Sequence, residues 1–249
     1  MNPRSFLVRV VICWGIPGAL SVLTFHQIAM YRNLETLWRT TVAQSPQSGM
    51  AHNNLGMFLL QTGGVNEAMY YLERAITLSP QNAEAHSNFG YALQLKGRLP
   101  EAIEQFKKAA ELRPGFAIYD ANLGNALAQI GRWREAIQRY ESAVGKSPSD
   151  PNIVSNLAWL LATSRDATVR NGPKAVVLAE QAVQFSGDDP QLLATLGAAY
   201  AADRRFDQAI ATGEKSRLLA IARGNKRLAE LNTQLLERYR SQQDFPSDP

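Results

Sequence analysis

A period of 34 residues governs this chain. Gly56, Gly90 and Gly124 are 34 apart, and so are Gly63, Gly97 and Gly131. The same spacing separates Ala68, Ala102 and Ala136, then Ala75, Ala109 and Ala143, then Pro46, Pro80, Pro114 and Pro148. A period of this length describes one supersecondary unit that buries its apolar face only by stacking on its neighbours. Each column has a physical task. Residues 51–62 read as a first helix, which Gly63 ends because glycine enters the left-handed region without a Cβ clash. A second helix runs from Asn66 to Leu78, and Pro80 prevents its continuation. Gly56 and Ala68 are small enough to let the two helices approach, while Leu55, Leu59 and Leu72 fill the space between them. Phe89, Leu93 and Phe106 repeat this arrangement, as do Leu123, Leu127 and Tyr140.

The pattern resembles the tetratricopeptide repeat over 49–82, 83–116 and 117–150, with the usual tryptophan near the start of each first helix replaced by His52, His86 and Asp120. The resemblance implies an all-α, right-handed solenoid of antiparallel helix pairs. Weaker units flank the three. Residues 32–48 read as a capping half-repeat, with Trp38 in the large-residue column. Residues 151–189 form a fourth unit that is five residues too long, with the excess in "TSRDATVRNGPK" at 163–174. Residues 190–240 hold a degenerate fifth unit, with Gly213 where a large residue belongs, and an amphipathic capping helix carrying Leu228, Leu231, Leu235 and Leu236. The end of the chain, 241–249, reads as a disordered tail.

Residues 10–30, "VVICWGIPGALSVLTFHQIAM", contain no charged side chain. Twenty-one helical residues cover about 30 Å, the thickness of a bilayer core. Three readings stand: a transmembrane helix, a cleaved signal peptide, and a buried helix of an ordinary domain. The first is the expectation, making 1–31 a single-pass membrane anchor. Arg4 and Arg9 before the segment bias the N-terminus inward. That places the repeats outside the cytoplasm, in the periplasm of a bacterium.

Charge and chemistry narrow the function. The net charge is +4 and the pI about 9.3, yet the cations are dispersed, with no basic stripe to follow a phosphate backbone. No nucleic-acid partner is expected. Cys13 is the only cysteine, so no disulfide forms within the chain. No nucleophile–base pair, Walker loop, GxSxG, HExxH or CxxC motif is present. The expectation is a non-enzyme without catalytic residues, metal or cofactor. His52 and His86 occupy equivalent positions but lack acidic or cysteine companions for a metal.

One column is not explained by packing. Asn54, Asn88, Asn122 and Asn156 recur in register, although asparagine is a poor helix former and a poor core residue. They share a helical face with Tyr91, Asn125 and Trp159, expected to line a concave groove. A primary amide donates and accepts, matching the alternating groups of an extended peptide backbone. Equally, the amides fit hydrogen bonding to a neighbouring repeat, or a residue simply favoured at this place in the repeat, and all three readings stand at this point. The row resembles the asparagine ladder of the repeat domain of O-GlcNAc transferase, which holds extended polypeptide. No resemblance to that enzyme's catalytic domain is present.

Two longer stretches carry another resemblance. "LTFHQIAMYRNLETLWRTTVAQSPQSGMAHNNLG" at 23–56 and "NLAWLLATSRDATVRNGPKAVVLAEQAVQFSGDDPQLLATLGAAYAADRRFDQAI" at 156–210 are similar to the last transmembrane helix and C-terminal repeats of bacterial multi-pass membrane proteins related to protein O-mannosyltransferases. In that family the catalytic acidic residues lie in an early extracytoplasmic loop, so none is carried over to this chain. The resulting expectation is a membrane-anchored scaffold that binds an extended peptide or partner protein, its oligomeric state left open. The alternative is the substrate-presenting accessory region of a membrane protein glycosyltransferase.

Overall fold

The computed structural model describes residues 34–242, which form twelve helices and no strand. Residues 34–44 are helix α1. It is followed by α2 (Gly49–Gln61), α3 (Val65–Leu78), α4 (Ala83–Leu95), α5 (Leu99–Leu112), α6 (Ala117–Gln129) and α7 (Trp133–Lys146). The remaining helices are α8 (Pro151–Thr163), α9 (Gly172–Ser186), α10 (Pro190–Ala202), α11 (Phe206–Ala222) and α12 (Lys226–Arg240). The chain divides into two compact units, one ending at Ala92 and the other starting at Leu93.

In the first unit, α2 and α3 form a tight antiparallel pair. A Cβ on Gly56 would lie 2.6 Å from Leu72 Cγ, so only glycine permits this approach. Leu55, Leu59, Ala68 and Leu72 are buried between the helices, and Trp38 and Val42 of α1 pack on the same cluster. Burying one leucine side chain stabilises by roughly 1.5–3 kcal/mol, so these contacts dominate the unit. Gly63 ends α2 with φ of 85°. Arg39 fastens α1 to α3 by a two-pronged ion pair with Glu67, at 2.7 and 3.1 Å, and also donates to Glu35 at 2.9 Å. His52 and His86 are buried in the repeat's aromatic position. One ring nitrogen of each meets a backbone carbonyl, Ser48 O at 2.9 Å and Pro80 O at 3.0 Å.

The second unit continues the pairing. Leu123, Leu127 and Tyr140 are buried between α6 and α7, and Gly131 turns the chain with φ of 78°. Asp120, in the aromatic position, is buried; it pairs with Lys146 and Arg139 and accepts from the Ser142 hydroxyl at 3.0 Å. Between α8 and α9 the connection has eight residues, where α6 and α7 are joined by three. Asp166 organises it by accepting from the Thr168 backbone and hydroxyl, which hold its carboxyl below the usual range. The Asn171 backbone N–H then closes the connection by donating to Leu161 O at 2.9 Å. α9 begins at Gly172, where a Cβ would strike the backbone of Ala202 at 2.6 Å. Gly213 leaves a space on α11 that α12 fills: Leu236 comes within 3.0 Å and Tyr239 within 3.5 Å of where its Cβ would be.

The expected single-pass membrane localisation is corrected here. No helix among the described residues is long and apolar enough to cross a membrane. The segment 10–30 on which that expectation rested lies outside the described residues, as do positions 243–249 of the expected tail.

Candidate functional site

The asparagine row falls into two environments. In the first unit it is part of an amide cluster. Asn53, 2% exposed, sits at its centre. The Asn88 amide donates to Asn53 Oδ1 at 2.9 Å, joining α4 to α2. Asn53 in turn donates to Glu84 at 3.3 Å and to Asn54 Oδ1 at 3.4 Å. Asn53 and Asn88 are therefore engaged with neighbouring helices, while Asn54 meets only Asn53 on its own helix. Tyr91 is 48% exposed on α4.

In the second unit the residues line a recess. Asn125, Asn156 and Trp159 border a pocket of about 310 Å³ on α6, α7 and α8. Trp133 and Tyr140 supply further aromatic wall, Ala128 and Leu160 apolar wall, and Gln129 a third amide. Thr163, Ser164 and Arg165 complete the lining at the start of the long connection. The Tyr140 hydroxyl donates to Asn125 Oδ1, and burial holds this phenol well above its ordinary range. Tyr140 therefore stays neutral and fixes the Asn125 amide. No side-chain hydrogen bond among the described residues engages Asn156. Ser164 is buried with its hydroxyl unpartnered. Asn122 lies one helical turn before Asn125 on α6, outside this lining.

A sequence difference accounts for the two environments. Asn53 and Asn88 are 35 apart, and so are Ala121 and Asn156. Where Asn88 finds an amide, Asn156 finds a position whose side chain is a methyl group. Asn53, Ser87, Ala121 and Ser155 are all buried, so this column is a packing column in which only some members carry a hydrogen-bonding group. The sequence reading missed Asn53, Trp133 and Arg165. Trp133 was recoverable: Val65 and Leu99 hold its place in the earlier units, and a tryptophan there is far larger. Among the described residues there is no group of three acidic, histidine or cysteine side chains able to hold a metal.

Stacked antiparallel helix pairs, each closed by a left-handed glycine, define a helical-repeat protein. The repeats are tetratricopeptide repeats: two family models of that description match residues 59–130 and 121–152. No curated protein matches the sequence. Solved structures do. The chain is similar to YrrB, described as a tetratricopeptide-repeat protein with an unusual peptide-binding site, at 16% identity over 79% of this chain and 97% of that one, with a TM-score of 0.56. It is also similar to PilF of Pseudomonas aeruginosa, at 22% identity over 78% of this chain and 89% of the other, with a TM-score of 0.59. MamA from Desulfovibrio magneticus is 20% identical over 72% of this chain and 97% of its own, with a TM-score of 0.55. At these identities the likeness is one of fold. None of these three is one of the membrane mannosyltransferases.

Proposed function

We propose that this chain is a non-catalytic scaffold that binds a partner protein through an extended peptide segment, held at the recess on α6–α8. The observation that carries the reading is the meeting of Asn125, Asn156 and Trp159 around one pocket whose Asn156 amide has no side-chain hydrogen bond among the described residues. An extended peptide presents donors and acceptors that a primary amide can match, and aromatic walls supply contact area. Tetratricopeptide repeats as a class bind peptides or proteins, and YrrB, which shares the fold, is described as having a peptide-binding site. In the first unit, Asn54 and Asn88 would meet a peptide only if they exchanged their present partners, and Tyr91 is exposed beside them in the sequence. Asn122 belongs to the same row and is the residue through which a longer peptide would continue along α6.

The test is panning of a random peptide library against the purified chain, with affinities of the enriched peptides read by fluorescence anisotropy. Enriched peptides that bind wild type and lose about twofold to tenfold in affinity with Asn156→Ala support the reading, the worth of one amide hydrogen bond. Failure to enrich any binder, or binders indifferent to Asn156→Ala, overturns it.

A further inference from the structure

We infer that the Tyr140 hydroxyl sets the polarity of the α6–α8 recess. It holds Asn125 by the amide oxygen and leaves the amide N–H groups to the occupant. The site therefore selects a segment that places a carbonyl oxygen there. The inference rests on the peptide-binding reading above and adds what that site selects.

Orientation comes first. Tyr140 is 3% exposed, and Asn125 Oδ1 is its one hydrogen-bond partner among the described residues. A phenol oxygen carries a single proton. Were the Asn125 amide turned over, its N–H would donate to the phenol oxygen. The phenol proton would then be left in the interior without an acceptor, a costly state. Burial pushes the phenol's pKa up, so the proton it donates stays in place. The amide oxygen is therefore the end that is taken. Asn125 is half-buried and lines the recess, and its N–H groups make no side-chain hydrogen bond among the described residues. The rest of the lining agrees. The indole N–H groups of Trp133 and Trp159 only donate, and no carboxylate borders the recess. Asn156 is free to turn either end of its amide to the next group along an extended chain.

Packing does not call for the hydroxyl. Leu72, Phe106 and Tyr140 hold one column and are all buried, so a ring without an oxygen fills this place in the preceding repeat. The residue 15 positions earlier is Met57, Tyr91 and Asn125 in turn. Of the three regular repeats, hydroxyl and amide occur together in the one that builds the recess. Asn125 is the contact, and Tyr140 is a positioning residue that acts through it.

The experiment uses the full chain and an uncharged, fluorescein-labelled peptide taken from the library panning, with affinity read by anisotropy. Asn125→Leu, which cannot hydrogen-bond, should weaken binding about threefold to tenfold. Asn125→Asp keeps the bond to Tyr140 but puts an oxygen where the amide nitrogen stood, and should weaken binding about tenfold beyond Asn125→Leu. In a Tyr140→Phe background the carboxylate is free to turn away, so the penalty of Asn125→Asp should shrink to that of Asn125→Leu. The Asn125 side-chain amide proton resonances of wild type should move downfield on adding the peptide, a reading that does not depend on any variant folding. Exchanging the peptide's backbone carbonyl oxygens for sulfur, and its side-chain oxygens for methyl groups, one at a time, finds the oxygen itself. One exchange should cost affinity in wild type and nothing in Asn125→Leu, at a backbone or a side-chain position according to the source. Asn125→Asp as tight as wild type, a penalty of Asn125→Asp unchanged by Tyr140→Phe, unmoved amide resonances, or no exchange coupled to Asn125 each overturns this inference while leaving peptide binding standing. A library that yields no binder overturns both.

Discussion

Asn88 and Asn156 occupy the same place in their repeats, yet one is tied into its surroundings and the other is not. Asn88 reaches back to the buried Asn53; the residue 35 before Asn156 is Ala121, whose side chain has no hydrogen-bonding group. A repeated residue therefore need not have a repeated role. Its role depends on what the preceding repeat puts beneath it. The first unit uses its amides to join helices, and the second leaves one open beside two tryptophans.

The comparison breaks most readily at Asn53. Asn53→Ala removes the acceptor of Asn88 and the donor to Glu84, and should lower unfolding free energy in urea by about 1–3 kcal/mol. Peptide affinity should stay unchanged. If affinity falls instead, the first unit is part of the site. Next in size is Ala121→Asn, which offers Asn156 the partner that Asn88 already has. Binding of a library-selected peptide should weaken about tenfold, and a crystal structure should show the new amide pair. Unaltered binding would remove the explanation for the two environments. A smaller effect is expected from Asn88→Ala, about 1 kcal/mol of stability with no change in affinity. Equal losses of affinity for Asn88→Ala and Asn156→Ala would restore a uniform ladder.

The smallest effect concerns pH. Hydrogen bonding to Arg39 lowers the Glu67 carboxyl below its ordinary value. A depressed carboxyl stabilises above its unfolded pKa, and that contribution is lost as pH falls through the folded value, so the loss lies below about pH 4.5. Both side chains are about two-fifths exposed, which limits the contribution to no more than about 1 kcal/mol. Acid titration of stability should show this step in wild type and not in Arg39→Ala.

The helical hairpins were legible because their causes are local. Gly63 and Gly131 adopt the left-handed backbone that a glycine column implies, and the column Leu72, Phe106 and Tyr140 is buried as large apolar residues in register should be. Gly213 broke that column, and the sequence offered no hint that Leu236 and Tyr239 fill the gap from another helix. The candidate site was legible only in part. Asn125, Asn156 and Trp159 share a helical face or its equivalent, so spacing brought them together. Arg165 sits in a connection with no periodicity, and Trp133 belongs to the opposite helix of its pair, so only packing reveals that they meet. The engagement of Asn88 was hidden for another reason: hydrogen bonds between repeats depend on the partner 35 residues back, which a column read by itself does not show.

Two of the chain's four tryptophans, Trp133 and Trp159, border the pocket. An indole ring changes its emission wavelength when water leaves its surface. Anything that fills this recess therefore reports its own arrival as a blue shift, without a label. The same two rings make substitution of either one a subtraction experiment, assigning the signal to one wall or the other. The molecule carries its own optical gauge at the place where occupancy most needs to be measured.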